Sequence, residues 1–187
     1  MRTYDKNIRP LLFDYLDERY GKIRTFEELC IGRSRADVLA VTDGALIGLE
    51  IKSDADSYAR LATQVKDYDR YCDYCFLVSG ERHGGHAAEH LPDYWGLLLV
   101  VLRRDSASVT EERGAAPVPR DKLRRQLSLL WRRELSLLLQ TNHCPKYAGK
   151  SRKFVTDKLL EKVPHDKLKR QLCELLFERD YTVFGED

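Results

Sequence analysis

The sequence predicts an α/β fold in which a β-sheet lies between layers of helices, followed by a basic α-helical extension. Two runs of apolar residues flank Asp43-Gly44, and an Asp-Gly pair between such runs is typical of a β-hairpin. Both faces of this hairpin are largely apolar, which indicates that helices cover the sheet on both sides. Residues 119–170 include 15 basic and 5 acidic side chains and have the apolar spacing of helices.

The elements before the hairpin are a helix and a strand. Ile8, Leu12 and Leu16 recur at helical spacing within residues 5–20, and Gly21 is a suitable stop for that helix. Residues 24–31 then have the pattern of a strand. The chain therefore enters the hairpin from a strand that is able to pair with it.

The hairpin itself has a predictable register. With Asp43-Gly44 as a two-residue loop, Thr42 faces Ala45, and Asp37 lies opposite Glu50. Alternation predicts one wholly apolar face, made by Ala36, Val38, Ala40, Ile47, Leu49 and Ile51. The other face is apolar near the turn and charged at the open end, where it carries Arg35, Asp37, Glu50 and Lys52.

The elements after the hairpin alternate between helix and strand. Residues 53–71 predict a polar turn and then a helix, because apolar side chains recur there at helical spacing. Apolar runs predict buried strands at 74–78 and 95–102, and residues 106–113 predict an edge strand. Residues 114–119 are the best candidate for a linker, so we place a first domain at 1–115 and a helical extension at 116–187.

The extension contains a short internal repeat. Residues 119–127 read PRDKLRRQL and residues 164–172 read PHDKLKRQL. Proline near a helix start and aspartate in its first turn are favourable N-terminal features. The repeat predicts two similar helices that pack on each other.

Composition excludes several other classes of protein. The chain has 187 residues, of which 43% are hydrophobic and 33% charged, so it has enough apolar side chain for a core. Six Pro and 11 Gly do not fit a collagen-like or low-complexity chain. We find neither a signal peptide nor an apolar run long enough to span a bilayer. Five Cys without a dense framework favour a reduced, cytoplasmic setting.

The charged end of the hairpin is the candidate site. Two carboxylates opposed on a sheet repel each other, and their removal from water adds a further cost. A divalent cation is the simplest compensation, since Mg²⁺ favours one or two carboxylates with water and phosphate oxygens. Lys52 follows Glu50 on the same face, so its ammonium group can reach the same space. Carboxylates, a metal and a lysine suit phosphodiester hydrolysis. The alternative is a structural ion-pair cluster in which Arg35 and Lys52 neutralise the two acids.

These residues resemble the PD-(D/E)XK nuclease superfamily. The matching pattern is Arg35-Ala36-Asp37 on one strand and Glu50-Ile51-Lys52 on the next, with Gln64-x-x-x-Tyr68 on the following helix. The proline of the superfamily's name is replaced by Ala36. The resemblance covers residues 5–103 and is strongest to small bacterial proteins with a restriction-endonuclease-like fold. It implies a three-layer core with a mixed central sheet.

The resemblance also implies roles for individual residues. Asp37, Glu50 and the carbonyl of Ile51 would ligate Mg²⁺ or Mn²⁺, and Lys52 would orient the attacking water. Gln64 and Tyr68 would steady the site or contact nucleic acid. Members often add an acid from the first helix or strand, and the candidates here are Glu28, Glu27, Glu18 and Asp14. We prefer Glu28 because it lies on the strand beside the hairpin. Arg35 and Arg60 would contact the nucleic-acid backbone.

The basic extension has two possible roles, DNA binding and structural packing. Residues 134–160 loosely resemble a small helix–loop–helix DNA-binding module called SAP, in which Lys146, Lys150, Arg152 and Lys153 would contact phosphates. A helical packing subdomain is the alternative. For the whole chain the sequence predicts a Mg²⁺-dependent deoxyribonuclease, with an RNA nuclease or a non-catalytic binding protein on a nuclease scaffold as alternatives. DNA is the expected partner, RNA and a homodimer remain open, and we expect no membrane association.

Overall fold

The structure of the protein, a computed structural model, describes residues 3–54, 56–81 and 86–181. The first part of the chain contains both strands and α-helices, and the second part contains α-helices. In chain order they are α1 (Asp5–Tyr20), β1 (Arg24–Ile31), β2 (Ser34–Thr42), β3 (Ala45–Lys52), α2 (Leu61–Tyr71), β4 (Tyr74–Gly80), β5 (Gly96–Leu102), β6 (Ala107–Arg113), α3 (Leu123–Leu127), α4 (Arg132–Thr141), α5 (Arg152–Lys162) and α6 (His165–Phe177). A 3₁₀ turn spans Ala88–His90.

The six described strands form one mixed sheet in the order β1-β2-β3-β4-β5-β6. The pairs β1–β2, β2–β3 and β5–β6 are antiparallel, while β3, β4 and β5 run parallel to one another. The helix α2 makes the crossover from β3 to β4, as a parallel pair requires. The expected mixed sheet is therefore confirmed, with β6 at an edge.

The sheet is the middle of three layers. On one face α1 buries Ile8, Leu12 and Leu16 against the strands. On the other face α2 and the C-terminal helices share a single hydrophobic cluster with the sheet. The expectation of a three-layer α/β core followed by helices is confirmed. Within the described ranges no helix has both the length and the apolarity needed to cross a bilayer.

The hairpin has the predicted register but a kink beside it. Val38 pairs with Leu49 and Thr42 with Ala45, as the Asp-Gly loop requires. On β1, Glu28 has a left-handed φ of 54°, which interrupts the alternation of the strand. On β2, opposite Leu29, Ala36 packs in the α2 cluster whereas Val38 packs in the α1 cluster, so the predicted uniform apolar face is wrong at this position.

The C-terminal helices are joined closely to the sheet. The predicted linker is held by backbone bonds, in which the N–H groups of Ala116 and Val118 donate to the carbonyls of Tyr94 and Asp73, each over 2.9 Å. Val118 is buried in the same cluster as α2. The division of the chain at residue 115 remains a prediction, and the packing on both sides of it is continuous.

The repeat produces two helices of unequal length. α6 begins at His165 and runs for 13 residues, whereas α3 begins at Leu123 and has five. In the first copy Asp121 precedes the helix and accepts a bond from the N–H of Leu123 over 3.1 Å. The two helices pack together, and Lys169 donates to Gln126 over 2.7 Å. The packing was predicted correctly and the equal lengths were not, because the chain turns at residues 128–131 to begin α4.

Gly48 on β3 allows α2 to approach the sheet closely. A Cβ atom at this position would lie 2.5 Å from Tyr68 Cδ1 and 2.6 Å from Cys72 Sγ. Neither neighbour has room to move, since both side chains are fully buried. The absence of a side chain at Gly48 therefore determines how Tyr68 reaches the sheet.

We predict that Gly48→Ala lowers the free energy of unfolding by about 1–3 kcal/mol, because the added methyl overpacks this contact. Urea denaturation would measure the change. Gly114→Ala is the matched control, since its nearest atom is Glu111 Oε1 at 3.1 Å, at the far end of a side chain that is only partly buried. Equal stability of Gly48→Ala and wild type would contradict the packing argument.

Candidate active site at the open end of the hairpin

Three neighbouring elements bring the predicted site residues together. β2 contributes Asp37, β3 contributes Glu50 and Lys52, and α2 contributes Gln64 and Tyr68. Glu50 and Lys52 are two residues apart on a strand and so project toward the same layer, which is the layer of α2. Gln64 and Tyr68 are one helical turn apart and face the strand together. The sequence-predicted core of the site is thus assembled in the structure.

Glu50 is the centre of the site. Its side chain is 1% exposed. Lys52 Nζ donates to Glu50 Oε1 over 2.5 Å, and Gln64 Nε2 donates to the same oxygen. The hydroxyl of Tyr68 donates to Glu50 Oε2 over 2.9 Å. A carboxylate that is removed from water is stable only with such partners, and here each oxygen has one.

Asp37 lies beside Glu50 without a cation of its own. Its Oδ2 accepts a hydrogen bond from the backbone N–H of Ile51 over 2.7 Å. Burial, and next the negative charge of Glu50, raise the pKa of Asp37 to about 7. Among the described residues no Lys or Arg forms an ion pair with its carboxylate, so the repulsion between the two acids is only partly compensated.

The ion-pair alternative holds for one of the two acids. Lys52 does pair with Glu50, but Arg35 pairs with Glu28 over 2.6 Å and not with Asp37. A cluster that served only to neutralise charge would not leave Asp37 without a cation.

Tyr68 connects the Glu50 carboxylate to the backbone of Asp37. Its hydroxyl oxygen accepts a bond from the backbone N–H of Asp37 over 3.1 Å and donates to Glu50. Burial, and then the charges of Glu50 and Asp37, raise the pKa of the Tyr68 phenol well above its ordinary value. Tyr68 therefore stays protonated at neutral pH and fixes the separation of β2 and β3 at the site.

Glu28 stands at the rim and has other partners. It accepts ion pairs from Arg9 and Arg35, each at 2.6 Å, and its side chain is 40% exposed. Its charge also contributes to the raised pKa of Asp37. The role of Glu28 as a metal ligand remains a prediction, since two guanidinium groups would compete with a cation for its oxygens.

Arg9 is a neighbour that the sequence did not indicate. Its guanidinium donates to the backbone carbonyl of Asp37 over 3.1 Å and contacts Glu27 and Glu28. Arg9 lies on α1 and reaches these groups across 18 to 28 residues of the chain. The polar face of α1 alone contains no signal for it.

Ser79 and Tyr58 form a second group that the sequence did not indicate, on the β4 side of Lys52. Ser79 on β4 is in register with Lys52, and the hydroxyl of Tyr58 hydrogen-bonds to Ser79. The ring of Tyr58 packs on His90 with centroids 5.0 Å apart. The signal that could have located this group is the pairing of β3 with β4, which places the ends of the two strands side by side.

The donor set suits a hard divalent cation. The carboxylates of Asp37 and Glu50 and nearby carbonyl oxygens are the ligands that Mg²⁺ and Mn²⁺ prefer. Gln64 Oε1 is buried and has no hydrogen-bond partner in the described part of the chain. The described residues contain no group of three or more His, Cys, Asp or Glu arranged for a metal. The ligands of a cation here would therefore be two carboxylates, water and the Ile51 carbonyl. The role of the Ile51 carbonyl as a ligand remains a prediction.

The predicted nucleic-acid contacts fall into two groups. Arg35 and Arg60 are exposed near the site, and the carbonyl of Arg60 accepts the N–H of Gln64 over 3.1 Å. Lys150, Arg152 and Lys153 are exposed at the start of α5, which packs against α3, α4 and α6. The structure does not bring these two groups into one cluster.

We predict that Asp37→Asn stabilises the metal-free protein above pH 7. The pKa of Asp37 is raised from 3.8 to about 7 in the folded state. Its ionisation therefore opposes folding increasingly as pH rises from about 4 to about 7. Above pH 7 the variant should gain on the order of 1–3 kcal/mol in the free energy of unfolding, and near pH 4 it should gain nothing.

Thermal or urea unfolding in EDTA at pH 4 and pH 8 would measure this gain. Asn keeps an oxygen for the Ile51 N–H, so the hydrogen bond is preserved. A loss of metal-free stability at pH 8 would instead support the structural ion-pair alternative.

Comparison with known proteins gives one family and two solved structures. A family model described as bacteriophage P4 protein cII matches residues 2–184. The SPO1766 protein of unknown function from Silicibacter pomeroyi is 25% identical, with 76% of this chain and 92% of that chain covered and a TM-score of 0.48. SfsA from Pyrococcus furiosus in complex with Ca²⁺ is 16% identical, with 59% and 62% covered and a TM-score of 0.36. No curated protein is significantly similar to the chain. Because the family model extends over nearly the whole sequence, the chain belongs to the family described as bacteriophage P4 protein cII.

Proposed function

We propose that this chain is a metal-dependent nuclease that hydrolyses phosphodiester bonds in DNA. The observation that carries the proposal is the pair of neighbouring carboxylates of Asp37 and Glu50, with Lys52 on the same face. One acid is fully compensated and the other is not, which leaves the site short of positive charge. A divalent cation and a phosphate together would complete it.

The residues of the chain have separate tasks in this proposal. Asp37 and Glu50, with the carbonyl of Ile51, would hold Mg²⁺ or Mn²⁺. The bound cation would supply charge neutralisation at the phosphate and a lower pKa of a coordinated water.

Lys52 would act directly on the substrate. With a cation bound near Glu50, the Lys52 ammonium group could donate to a phosphate oxygen or to the attacking water. Its charge would then oppose the negative charge that develops in the transition state. Lys52 is 6% exposed, so this interaction would be screened little by solvent.

Gln64 and Tyr68 would position the carboxylates. Both donate to Glu50, so its oxygens are held in one orientation before any ligand arrives. Such preorganisation reduces the cost of ordering the site during the reaction. The same residues carry the resemblance to the PD-(D/E)XK superfamily, and their arrangement on two strands and the following helix supports that assignment.

The cation should stabilise the folded protein measurably. We predict that millimolar Mg²⁺ or Mn²⁺ raises the melting temperature of the wild type, because a ligand of the folded state shifts the unfolding equilibrium. Asp37→Asn should lose most of this increase, while Glu28→Gln should keep it if Glu28 is not a ligand. K⁺ at the same ionic strength is the control for general salt effects. An increase of the same size in wild type and Asp37→Asn would exclude this metal site.

Catalysis is tested by cleavage of supercoiled plasmid in Mg²⁺ or Mn²⁺. We predict nicked or linear product from the wild type, at least about 100-fold less from Glu50→Gln and Lys52→Met, and none in EDTA. Arg104→Ala, at an exposed position between β5 and β6, is the control and should cut like wild type. Equal cleavage by Glu50→Gln would overturn the assignment.

The same variants separate the two alternative functions. Cleavage of RNA but not DNA, again lost in Glu50→Gln, would make the protein an RNA nuclease. No cleavage of either polymer, with binding unchanged in both variants, would favour a non-catalytic binding protein.

A further inference from the structure

A basic groove lies between α3 and the start of α5, away from the carboxylate site. It encloses about 390 Å³ and is lined by Arg124, Arg125, Ser128, Arg152, Lys153 and Thr156. We call these residues the α3–α5 groove. We propose that this groove binds the phosphate backbone of duplex DNA at a distance from the cleavage site. The inference rests on the proposed function, since the DNA it holds would be the substrate.

Two cations of the groove are fixed in place. The guanidinium of Arg152 donates to the carbonyls of Ser128 and Leu130 over 3.1 and 2.5 Å. Arg124 is held by an ion pair with Asp157 on α5. These contacts join the two walls of the groove and order both side chains before any ligand binds, so a ligand would not bear the full entropic cost of ordering them.

The other two cations are available to a ligand. Arg125 and Lys153 are exposed, and neither forms an ion pair with any residue in the described part of the chain. Because only Arg124 has an acidic partner, three positive charges of the groove remain uncompensated. An arginine with a free guanidinium suits a phosphate well, since it can donate two parallel hydrogen bonds.

The charge arrangement is unfavourable for the protein alone. The first turn of α5 contains no acidic residue, and instead carries Arg152 and Lys153. Cations at this end of a helix oppose its dipole. A solvated helix surface would not need to concentrate charge in this way, whereas a bound polyanion would relieve the repulsion between the four cations.

The distribution of basic residues favours a polymer over a single phosphate. Exposed Lys150 precedes α5 and exposed Arg132 begins α4, so further cations lie close in sequence to the residues of the groove. Within residues 119–170 the sequence has 15 basic and 5 acidic side chains. A nucleic-acid backbone presents phosphates in a row and is neutralised by such a series of side chains.

The position of the groove sets the length of DNA that could occupy both sites. Gln126 on α3 donates to the carbonyl of Tyr71, which is the last residue of α2, over 2.8 Å. Gln64, at the carboxylate site, lies seven residues earlier, or about 10 Å along the axis of α2. This offset alone corresponds to about three nucleotide steps of 3.4 Å. An oligonucleotide of about three nucleotides or fewer should therefore be unable to occupy the carboxylate site and the groove at once.

The test is a charge-reversal variant, Arg125→Glu/Lys153→Glu, whose two positions make no ion pairs that folding would lose. Lys6→Glu/Arg104→Glu is the matched control, with the same change in net charge at exposed positions on α1 and between β5 and β6. Fluorescence anisotropy would measure the Kd of a 20-base-pair duplex in EDTA, from 50 to 200 mM salt. Circular dichroism melting would verify that both variants are folded.

We expect the groove variant to bind the duplex at least about tenfold more weakly at 100 mM salt, with the slope of log K against log salt reduced by about two. The control should change Kd by less than about threefold and keep the slope. Equal weakening in both variants, or no weakening in the groove variant, would overturn the proposal.

Failure of the nuclease function would be distinguishable. If the wild type binds the duplex through the groove in EDTA but does not cleave it in Mg²⁺, the groove stands and the nuclease proposal fails. If the wild type cleaves and the groove variant binds and cleaves as well as wild type, the groove alone is wrong. If the groove variant binds the duplex more weakly than wild type does but binds a trinucleotide equally well, the predicted offset between the two sites is supported.

Discussion

The carboxylate of Glu50 is almost entirely removed from water, and the packing of α2 on the sheet makes its burial possible. Its three donors come from β3 and from one face of α2. They can reach it only because α2 lies directly on the strand at Gly48, where a larger residue would collide with Tyr68. The close approach of helix to sheet and the satisfaction of the buried charge are therefore a single constraint.

Asp37 differs from Glu50 although the two acids are neighbours. Glu50 has a donor for each oxygen, whereas among the described residues the Asp37 carboxylate accepts a single hydrogen bond, from the backbone N–H of Ile51. Burial without a cation raises the pKa of Asp37, so the folded protein retains an unfavourable charge at neutral pH. Such an imbalance is typical of sites that complete their charge with a ligand.

The parts of the site that were predicted correctly from the sequence depend on local turn geometry and helical spacing. The Asp43-Gly44 turn fixed the register of the hairpin, and helical spacing put Gln64 and Tyr68 on one face. The features that escaped prediction depend on contacts between distant segments. Ala36 packs in the α2 layer although Val38 packs in the α1 layer, and α3 ends early because α4 begins within a few residues. The roles of the site residues in metal binding and cleavage remain predictions, because a constellation of side chains does not itself identify a reaction.

Arg9 and Ser79 show why the surroundings of the site were harder to predict than its centre. Each reaches the site from an element that is distant in sequence, and each is placed by tertiary packing rather than by a local pattern. Arg9 comes from the layer opposite α2 and contacts the carbonyl of Asp37. Ser79 depends on the parallel pairing of β4 with β3.

The contacts of Arg179 have a consequence for how the protein folds during its synthesis. Its guanidinium pairs with buried Glu134 over 2.6 Å and lies 4.1 Å from the ring of Trp131, while its carbonyl accepts a bond from Arg24 at the start of β1. Translation exposes the N-terminal strands first, at about 5–20 residues per second. The α2 side of the sheet has no complete cover until residue 179 has left the ribosome. The layers therefore close late, and for several seconds of synthesis the nascent chain presents an apolar sheet face that chaperones can bind.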